Sequence, residues 1–333
     1  MKSPDIAVIG AGSWGTALSV LWAKQGQPIL LWNRNASQVE ELRRAQQNER
    51  YLPNVKFPQT LGLTSELRDC AACRLIVVVT RSTALREAAL ELRNVGIDSK
   101  AVILSCVKGI EHGTGRRMSE ILAENFPGHT IAAMSGPNLA TEVSRGLPTA
   151  TVLACSETKV ASTLQNQLST SRFRIYSSDD IAGVELGGAF KNVFAIAAGA
   201  GDGLGLGDNS KAALVTRALA EMVRIGTQMG GQLHTFYGLS GAGDLVATCF
   251  SQLSRNRRAG EMLARAHSLD QIAQSLGTVA EGIPTAKSAR ECSRRLSIET
   301  PIIDQVYALL YEAKPAARAM EELMQREQKA EGI

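Results

Sequence analysis

The hexapeptide Gly10-Ala11-Gly12-Ser13-Trp14-Gly15 constrains this chain more than any other feature. It comes directly after the apolar run Ile6–Ile9 and opens a stretch with helical spacing. In such a turn the first glycine permits the tight bend and the second lets backbone approach a pyrophosphate. The third lets helix pack closely on strand. N–H groups at the helix start then face the phosphates. A lone GxGxxG is weak, but the strand before it, the helix after it and further units beyond make a dinucleotide site the expected reading. Gly10, Gly12 and Gly15 are therefore placed at a cofactor.

The first half of the chain agrees with that loop. Short apolar runs at Ile6–Ile9, Ile29–Trp32, Leu75–Val79, Ala101–Ser105, Thr130–Met134, Ala150–Ala154 and Phe173–Tyr176 read as buried parallel strands. Stretches with helical spacing, such as Ser82–Arg93, Arg116–Asn125 and Thr158–Gln167, lie between most of them. Strand–helix–strand succession implies right-handed crossovers and a doubly wound α/β sheet. After Ser177-Ser178-Asp179-Asp180, all good helix N-cap types, the strand pattern stops and nearly everything reads as helix. The 333 residues exceed what one core usually holds. The expected layout is a Rossmann-like dinucleotide-binding domain over 1–180 and an all-α substrate-binding domain over 181–333.

The second strand ends at Leu31-Trp32-Asn33-Arg34, where an NAD-selective site usually carries an acid for the ribose 2′-hydroxyl. No acid appears until Glu40. Arg34 either pairs with a 2′-phosphate through its planar fork or is a solvated loop arginine. The balance favours NADP(H) and leaves NAD(H) open.

Between Ile181 and Ala200 the strongly polar residues are Glu185, Lys191 and Asn192. Lys191 projects from a face of small and apolar residues, Val184, Gly187, Gly188, Ala195 and Ala198. A cation there is costly without partners and its pKa should fall, which suits a proton donor or acceptor at a carbonyl or alcohol. A snorkelling lysine or a structural ion pair is the alternative. Downstream, Gly241-Ala242-Gly243-Asp244 runs on to Thr248, with Ser254-Arg255-Asn256-Arg257-Arg258 close behind. The arginine-rich stretch reads as a phosphate clamp or as a solvated helix start.

Composition excludes several classes. Charges nearly cancel, with 36 basic and 32 acidic side chains, and aromatics are 5% of the chain. Nucleic-acid binding is not expected, because base stacking needs interleaved aromatics. No leader precedes the first strand and no run is apolar enough to span a bilayer, so neither secretion nor membrane insertion is expected. The six cysteines include one CxxC, Cys70–Cys73, without nearby histidines. Reduced thiols in a cytoplasmic protein and no metal site are expected.

These motifs resemble those of bacterial-type NAD(P)-dependent glycerol-3-phosphate dehydrogenases. The carriers are the hexapeptide, Val107-Lys108-Gly109, Ser135-Gly136-Pro137, the run from Glu185 to Asn192, Gly241-Ala242-Gly243-Asp244-Leu245, and Ser254 to Arg258. The resemblance spans nearly the whole chain. It implies reversible reduction of dihydroxyacetone phosphate to sn-glycerol 3-phosphate, a precursor of glycerophospholipids, by a homodimer that takes a small-molecule substrate. It also implies that Lys191 is the general acid/base. Lys108, Gly136, Asp244, Ser254, Arg255 and Asn256 would contact substrate, with Asn192 and Thr248 lining the same pocket. Ser13, Trp14, Arg34, Tyr51, Lys108, Ala140, Arg255, Val279 and Glu281 would surround the cofactor. One position departs: members often carry Ser or Thr after Gly-Pro, whereas this chain has Asn138, whose amide can still donate. Rival readings are a related dehydrogenase of a small carboxylate and a nucleotide sensor without turnover.

Overall fold

Four-residue apolar strands cannot stand alone, and here they line up side by side. A computed structural model describes residues 4–277, 279–328 and 330–331. Met1, Lys2 and Ser3, part of the start read as leaderless, lie outside the described residues. The strands are β1 (Ile6–Ile9), β2 (Ile29–Trp32), β3 (Gln47–Asn48), β4 (Leu52–Lys56), β5 (Leu61–Thr64), β6 (Leu75–Val78), β7 (Val102–Ser105), β8 (Ile131–Ser135), β9 (Thr149–Cys155) and β10 (Phe173–Ser178). Eight form one sheet in the order β10-β9-β8-β7-β6-β1-β2-β5, while β3 and β4 make a separate hairpin. The chain winds one way from β1 through β2 to β5 and the other way from β6 to β8. The order therefore reverses beside β1, the strand that feeds the glycine loop. In doubly wound sheets that reversal opens the ligand crevice.

The central strands are covered on both faces. Ile6, Val8, Val77 and Leu104 join Leu18, Leu21 and Trp22 in one core, and Ala7, Ile76, Val78 and Ile103 join Leu85, Leu92 and Leu122 in another. Trp22 resolves the usual difficulty of a buried indole by donating its Nε1–H to the Leu168 carbonyl at 3.1 Å.

The expectation that all strands run parallel is corrected at one edge. β9 is antiparallel to β8, and β10 then pairs parallel with β9. Between β8 and β9 stands only a loop with the five-residue helix Ala140–Ser144, and the chain returns alongside β8 rather than crossing over. Apolar periodicity reports a buried strand but not its direction. The edge strand β5 and the hairpin β3–β4 escape that periodicity, because glycine, proline and polar residues interrupt them.

Two compact units result. The first takes the chain to Val107 and again Met118–Ile181; the second takes Lys108–Arg117 and everything from Ala182. The expected division after 180 differs from these units at eleven residues, Lys108–Arg117 and Ile181. The segment Lys108–Arg117 is held to the helical unit by Lys108–Asp244 at 2.5 Å, Arg117–Glu185 at 3.1 Å and the Gly113 N–H on Glu291 at 3.1 Å. The expected helix from Arg116 begins at Met118, since Arg117 bridges back to Ile110.

Apart from Lys108–Arg117, the regular elements among the described residues of the second unit are helices, packed around Phe190, Phe194, Met222 and Phe236. Its long helix Ile181–Gly203 is apolar and long enough to cross a membrane, but 83% of its most apolar window is buried within the protein. Protein, not lipid, therefore covers it. Elsewhere a carboxylate caps a helix from inside. Glu221 is 1% exposed and accepts from the N–H groups of Ile302 (3.0 Å) and Ile303 (2.9 Å), at the start of the helix Pro301–Tyr311. Burial pushes its carboxyl up from the ordinary 4.5 to about 7, against the pull of both N–H groups and Arg224 and with a smaller push from Asp304. The folded state then holds the proton more tightly than the unfolded state. This contribution is full below 4.5 and is lost as pH rises through about 7. Wild type should lose roughly 3 kcal/mol relative to Glu221→Gln between pH 4.5 and 8, at about 1.4 kcal/mol for each tenfold change in proton affinity. Urea unfolding of both proteins across that range checks this; a constant difference would contradict it.

Candidate active site

The glycine loop Gly10–Gly15 has the tight geometry its sequence implies. Gly10 sits at φ +122°, and a Cβ there would lie 2.7 Å from the Val79 carbonyl oxygen. A Cβ on Gly15 would stand 1.9 Å from the Gly10 oxygen, so only glycine lets the helix Ser13–Ala23 start this close. A Cβ on Gly12 would meet nothing within 4 Å. That open side, at a helix start without an acidic residue in its first turn, fits an approaching pyrophosphate. Trp14 packs on Phe173 with ring centroids 6.3 Å apart. A cavity of about 600 Å³ opens beside the loop and includes Ala11, Asn33, Gln38, Arg44, Arg50 and Tyr51 in its wall. Arg50 stacks over the Tyr51 ring at 5.1 Å.

At the end of β2 the Asn33 amide donates to Gln38 at 3.0 Å and accepts from the Asn35 N–H at 3.1 Å. Arg34 reaches instead to the helix Leu85–Val95, pairing with Glu87 at 3.3 Å and Glu91 at 3.1 Å. Neither acid stands out in the sequence, because both lie more than fifty residues away. The pairs are exposed and individually weak, so they leave Arg34 exchangeable.

Asn138 is tied to a neighbouring strand through its amide. Thr151 spends its hydroxyl hydrogen on the Ser135 carbonyl at 3.0 Å and can therefore only accept from Asn138 Nδ2, also at 3.0 Å. The amide thus donates inward, and among the described residues its buried Oδ1 meets no hydrogen-bond partner. Gly136 lies against Thr151, where a Cβ would come within 2.9 Å of its Cα. Ala140 opens a short helix and packs beside Ala17, Val20 and Leu52.

In the helical unit the charged residues converge. Lys191 is 7% exposed on its apolar helix; its Nζ donates to Thr248 Oγ1 at 2.8 Å and stands 3.0 Å from Asp244 Oδ1. Thr248 donates in turn to Asp244 Oδ1 at 3.1 Å, as residues four apart on the helix Asp244–Phe250 can. The other Asp244 oxygen takes Lys108 at 2.5 Å. Two lysines therefore share one buried carboxylate. Burial lowers Lys191 from its ordinary 10.5 to about 8; Asp244 pulls it back up and Lys108 pushes it down. Burial works against ionisation of Asp244, yet Lys108 and Lys191 hold it below the usual carboxylate range. The two contacts use two of the ammonium's three donors, leaving a third for a ligand oxygen. Lys191 is thus both ion-paired and poised to exchange a proton.

A second polar chain runs alongside. Asn256 Nδ2 donates to Asn192 Oδ1 at 2.8 Å, and Asn256 Oδ1 accepts from the Gly282 N–H at 2.9 Å. Two glycines bring these helices into contact: a Cβ on Gly199 would lie 1.8 Å from the Arg257 oxygen, and one on Gly260 2.0 Å from the Ile196 oxygen. Ser254 caps the helix Arg255–Ala264 by accepting from the Arg257 N–H. The arginine-rich stretch divides by helical phase. Arg257 turns inward to Asp202 (2.6 Å) and Glu261 (2.9 Å), while Arg255 and Arg258 are exposed. Val279 is exposed, and Glu281 precedes the helix Gly282–Arg295. All six cysteines are free and buried, with burial pushing Cys70 up to about 12 and Cys73 to about 11. Among the described residues no group of His, Cys, Asp or Glu is placed to hold a metal.

Two domain profiles match the chain. That of the NAD-dependent glycerol-3-phosphate dehydrogenase N-terminus covers residues 5–161, and that of the C-terminus covers 180–321. A Chlorobium chlorochromatii NAD(P)+ glycerol-3-phosphate dehydrogenase is 43% identical over 330 residues, 98% of this chain and 99% of its own. A Geobacter homologue of the same name is 45% identical over 332 residues, covering 98% and 99%. The crystal structure of glycerol-3-phosphate dehydrogenase from Coxiella burnetii superposes with a TM-score of 0.93 at 39% identity, covering 96% of this chain and 98% of its own.

The cluster gives a measurement that does not depend on turnover. NMR of ε-¹³C-lysine-labelled protein should show one lysine titrating near pH 8, absent from Lys191→Met. In Asp244→Asn that midpoint should move lower, because the carboxylate that favours the ammonium is gone. A midpoint unmoved by Asp244→Asn would break the link between them.

Proposed function

The chain belongs to the NAD-dependent glycerol-3-phosphate dehydrogenase family, and we propose that it interconverts dihydroxyacetone phosphate and sn-glycerol 3-phosphate with NAD(P)H as its cofactor. The observation that carries the reading is the buried Lys108–Asp244–Lys191–Thr248 cluster, a proton donor beside a second fixed cation. A small carboxylate dehydrogenase would share the sheet, but the motifs match the glycerol-3-phosphate family along the whole chain. Mixing the protein with NAD(P)H and dihydroxyacetone phosphate, then monitoring nicotinamide absorbance, tests the activity directly.

NAD(P)H, when bound, supplies the hydride that reduces the C2 carbonyl. The loop Gly10–Gly15 would hold its pyrophosphate, with Ser13, Trp14, Tyr51, Ala140, Val279 and Glu281 about the rest. Lys191 holds a proton for the carbonyl oxygen and delivers it as negative charge develops there. Lys108 adds positive field, and Asp244 keeps both ammonium groups in place. Arg255, exposed beside the capped helix start, is assigned to the substrate phosphate, with Asn192, Ser254 and Asn256 fixing orientation. Remote binding energy at the phosphate then aligns the reacting carbonyl. Gly136 and Asn138 are also assigned to substrate. The reading further includes a cytoplasmic homodimer feeding glycerophospholipid synthesis; sedimentation equilibrium measures the oligomeric state.

Lys191→Met keeps approximate side-chain length while removing charge and proton. Turnover should fall by roughly 10²–10⁴ with NAD(P)H affinity retained by fluorescence titration. In wild type, reduction should slow as pH rises through about 8 and the ammonium is lost, while the reverse oxidation should quicken over the same range. Turnover within a few fold of wild type in Lys191→Met would remove the assignment.

Arg34 is assigned to the 2′-phosphate of NADPH, in exchange for Glu87 and Glu91. Arg34→Ala should raise KM for NADPH far more than for NADH. The double variant Glu87→Gln, Glu91→Gln should shift the ratio toward NADPH, because two carboxylates no longer repel the phosphate. Equal effects on the two cofactors would refute this corner as the discriminator.

A further inference from the structure

The hairpin β3–β4 looks incidental to the sheet, yet it carries a buried amide at the centre of the cofactor loop. Asn48 is 2% exposed. Its Nδ2 donates to the Ala11 carbonyl at 3.0 Å and to Thr16 Oγ1 at 2.8 Å, and its Oδ1 accepts from the Tyr51 N–H at 3.2 Å. The orientation of the amide is fixed by these partners, since a carbonyl can only accept and a backbone N–H can only donate. Both donor hydrogens and an acceptor site are thus committed. One side chain joins three segments: the middle of Gly10–Gly15, the first turn of the helix Ser13–Ala23, and the hairpin turn that bears Tyr51. The hairpin is seated by apolar contact as well, with Leu52 and Val55 against Ala17 and Val20.

The contact to Ala11 has a specific consequence. The Ala11 oxygen and the Gly12 N–H belong to one planar trans peptide and point in opposite directions. No cis peptide bond occurs among the described residues. Holding the carbonyl toward the hairpin therefore turns the Gly12 N–H away from it. Gly12 has no side chain to resist rotation of this peptide, and a Cβ there would touch nothing, so the loop itself offers little restraint. An external donor supplies that restraint. Thr16 strengthens it, because its own N–H bonds the Gly12 carbonyl at 2.9 Å while its hydroxyl receives Asn48.

We propose that Asn48 is a positioning residue for dinucleotide binding: its amide locks the Ala11–Gly12 peptide, and it does so from the same turn that presents Tyr51. The proposal rests on the reading of Gly10–Gly15 as the NAD(P) site. Asn48→Asp is nearly isosteric, but its carboxylate cannot donate and sets negative charge against the Ala11 oxygen. Isothermal titration calorimetry with NADP+ and NAD+ at about pH 8 should show affinity for both falling at least about tenfold. The apo protein should keep its far-UV circular dichroism, and KM for dihydroxyacetone phosphate at saturating cofactor should change less than about threefold. As pH is lowered toward about 5.5 the new carboxyl gains a proton it can donate, so the deficit relative to wild type should shrink. A purely structural defect would not recover in that way. Thr16→Val, which removes one acceptor and leaves the Ala11 contact, should stay within about threefold of wild type.

Dinucleotide affinity in Asn48→Asp within about twofold of wild type overturns the proposal. So does Thr16→Val weakening binding as much as Asn48→Asp, which would make the helix start the important partner. Unfolding of both Asn48→Asp and Asn48→Ala overturns it too, since Asn48 would then be a general requirement of the fold; if only one folds, that variant decides by the same affinity criterion. Wild type failing to bind either dinucleotide would instead count against the reading of the loop.

Discussion

One buried carboxylate holds two ammonium groups, and much of the helical unit is arranged to make that tolerable. Taking Asp244, Lys108 and Lys191 out of water costs several kcal/mol per ion, and only close pairing offsets it. The pairing here is close and shared, with contacts of 2.5 and 3.0 Å on opposite oxygens. Asp244 thus answers both ammonium groups at once, and burial remains the largest influence on Lys191.

Such a cluster needs backbones that approach closely. Gly199 and Gly260 let the helices carrying Asn192 and Asn256 meet with no side chain between them. The segment Lys108–Arg117 leaves the sheet domain's part of the sequence and joins the helical unit, bringing Lys108 to Asp244. Asparagine does the complementary work with neutral groups. Asn192 and Asn256 link helices, as Asn48 links a hairpin to the glycine loop; each has fixed donors and acceptors and no charge to desolvate.

How far the sequence announces this depends on how local each feature is. The glycine loop is legible because strand, turn and helix are contiguous and each glycine has a separate steric reason. Lys191 is legible because a cation on an otherwise apolar helix is anomalous within a single window. The reversal at β9 is not legible, since burial sets a strand's residues but the connection sets its direction. Nor is the partnering of Arg34 with Glu87 and Glu91, which depends on how two distant segments sit on one sheet. The arginine-rich stretch shows a middle case. Sequence places three arginines together, and only the helix start at Ser254 decides that Arg257 faces inward while Arg255 and Arg258 face out. The membership of Lys108 in the helical unit is likewise hidden, because it sits among strands in sequence and is claimed by a carboxylate 136 residues away.

On the proposed reading the two units use different electrostatics, each suited to what it would bind. A pyrophosphate is a permanent anion that must also be released, and partial charges on backbone N–H groups suit it. They are fixed by the fold, hold no exchangeable charge and do not titrate. Proton transfer to a carbonyl needs the opposite: a full charge whose protonation can change near working pH. Such a charge has to be buried to be tuned and paired to be kept, which is the condition of Lys191. Placing that ionic cluster wholly within the helical unit lets the glycine loop remain free of charged side chains. A lysine inside the loop would bind phosphate more tightly at the expense of release and would shift with every change in neighbouring protonation. On the proposed reading, the pyrophosphate meets neutral backbone donors in the glycine loop and the reacting carbonyl meets the titrating Lys191, so each is matched to the kind of donor its chemistry needs.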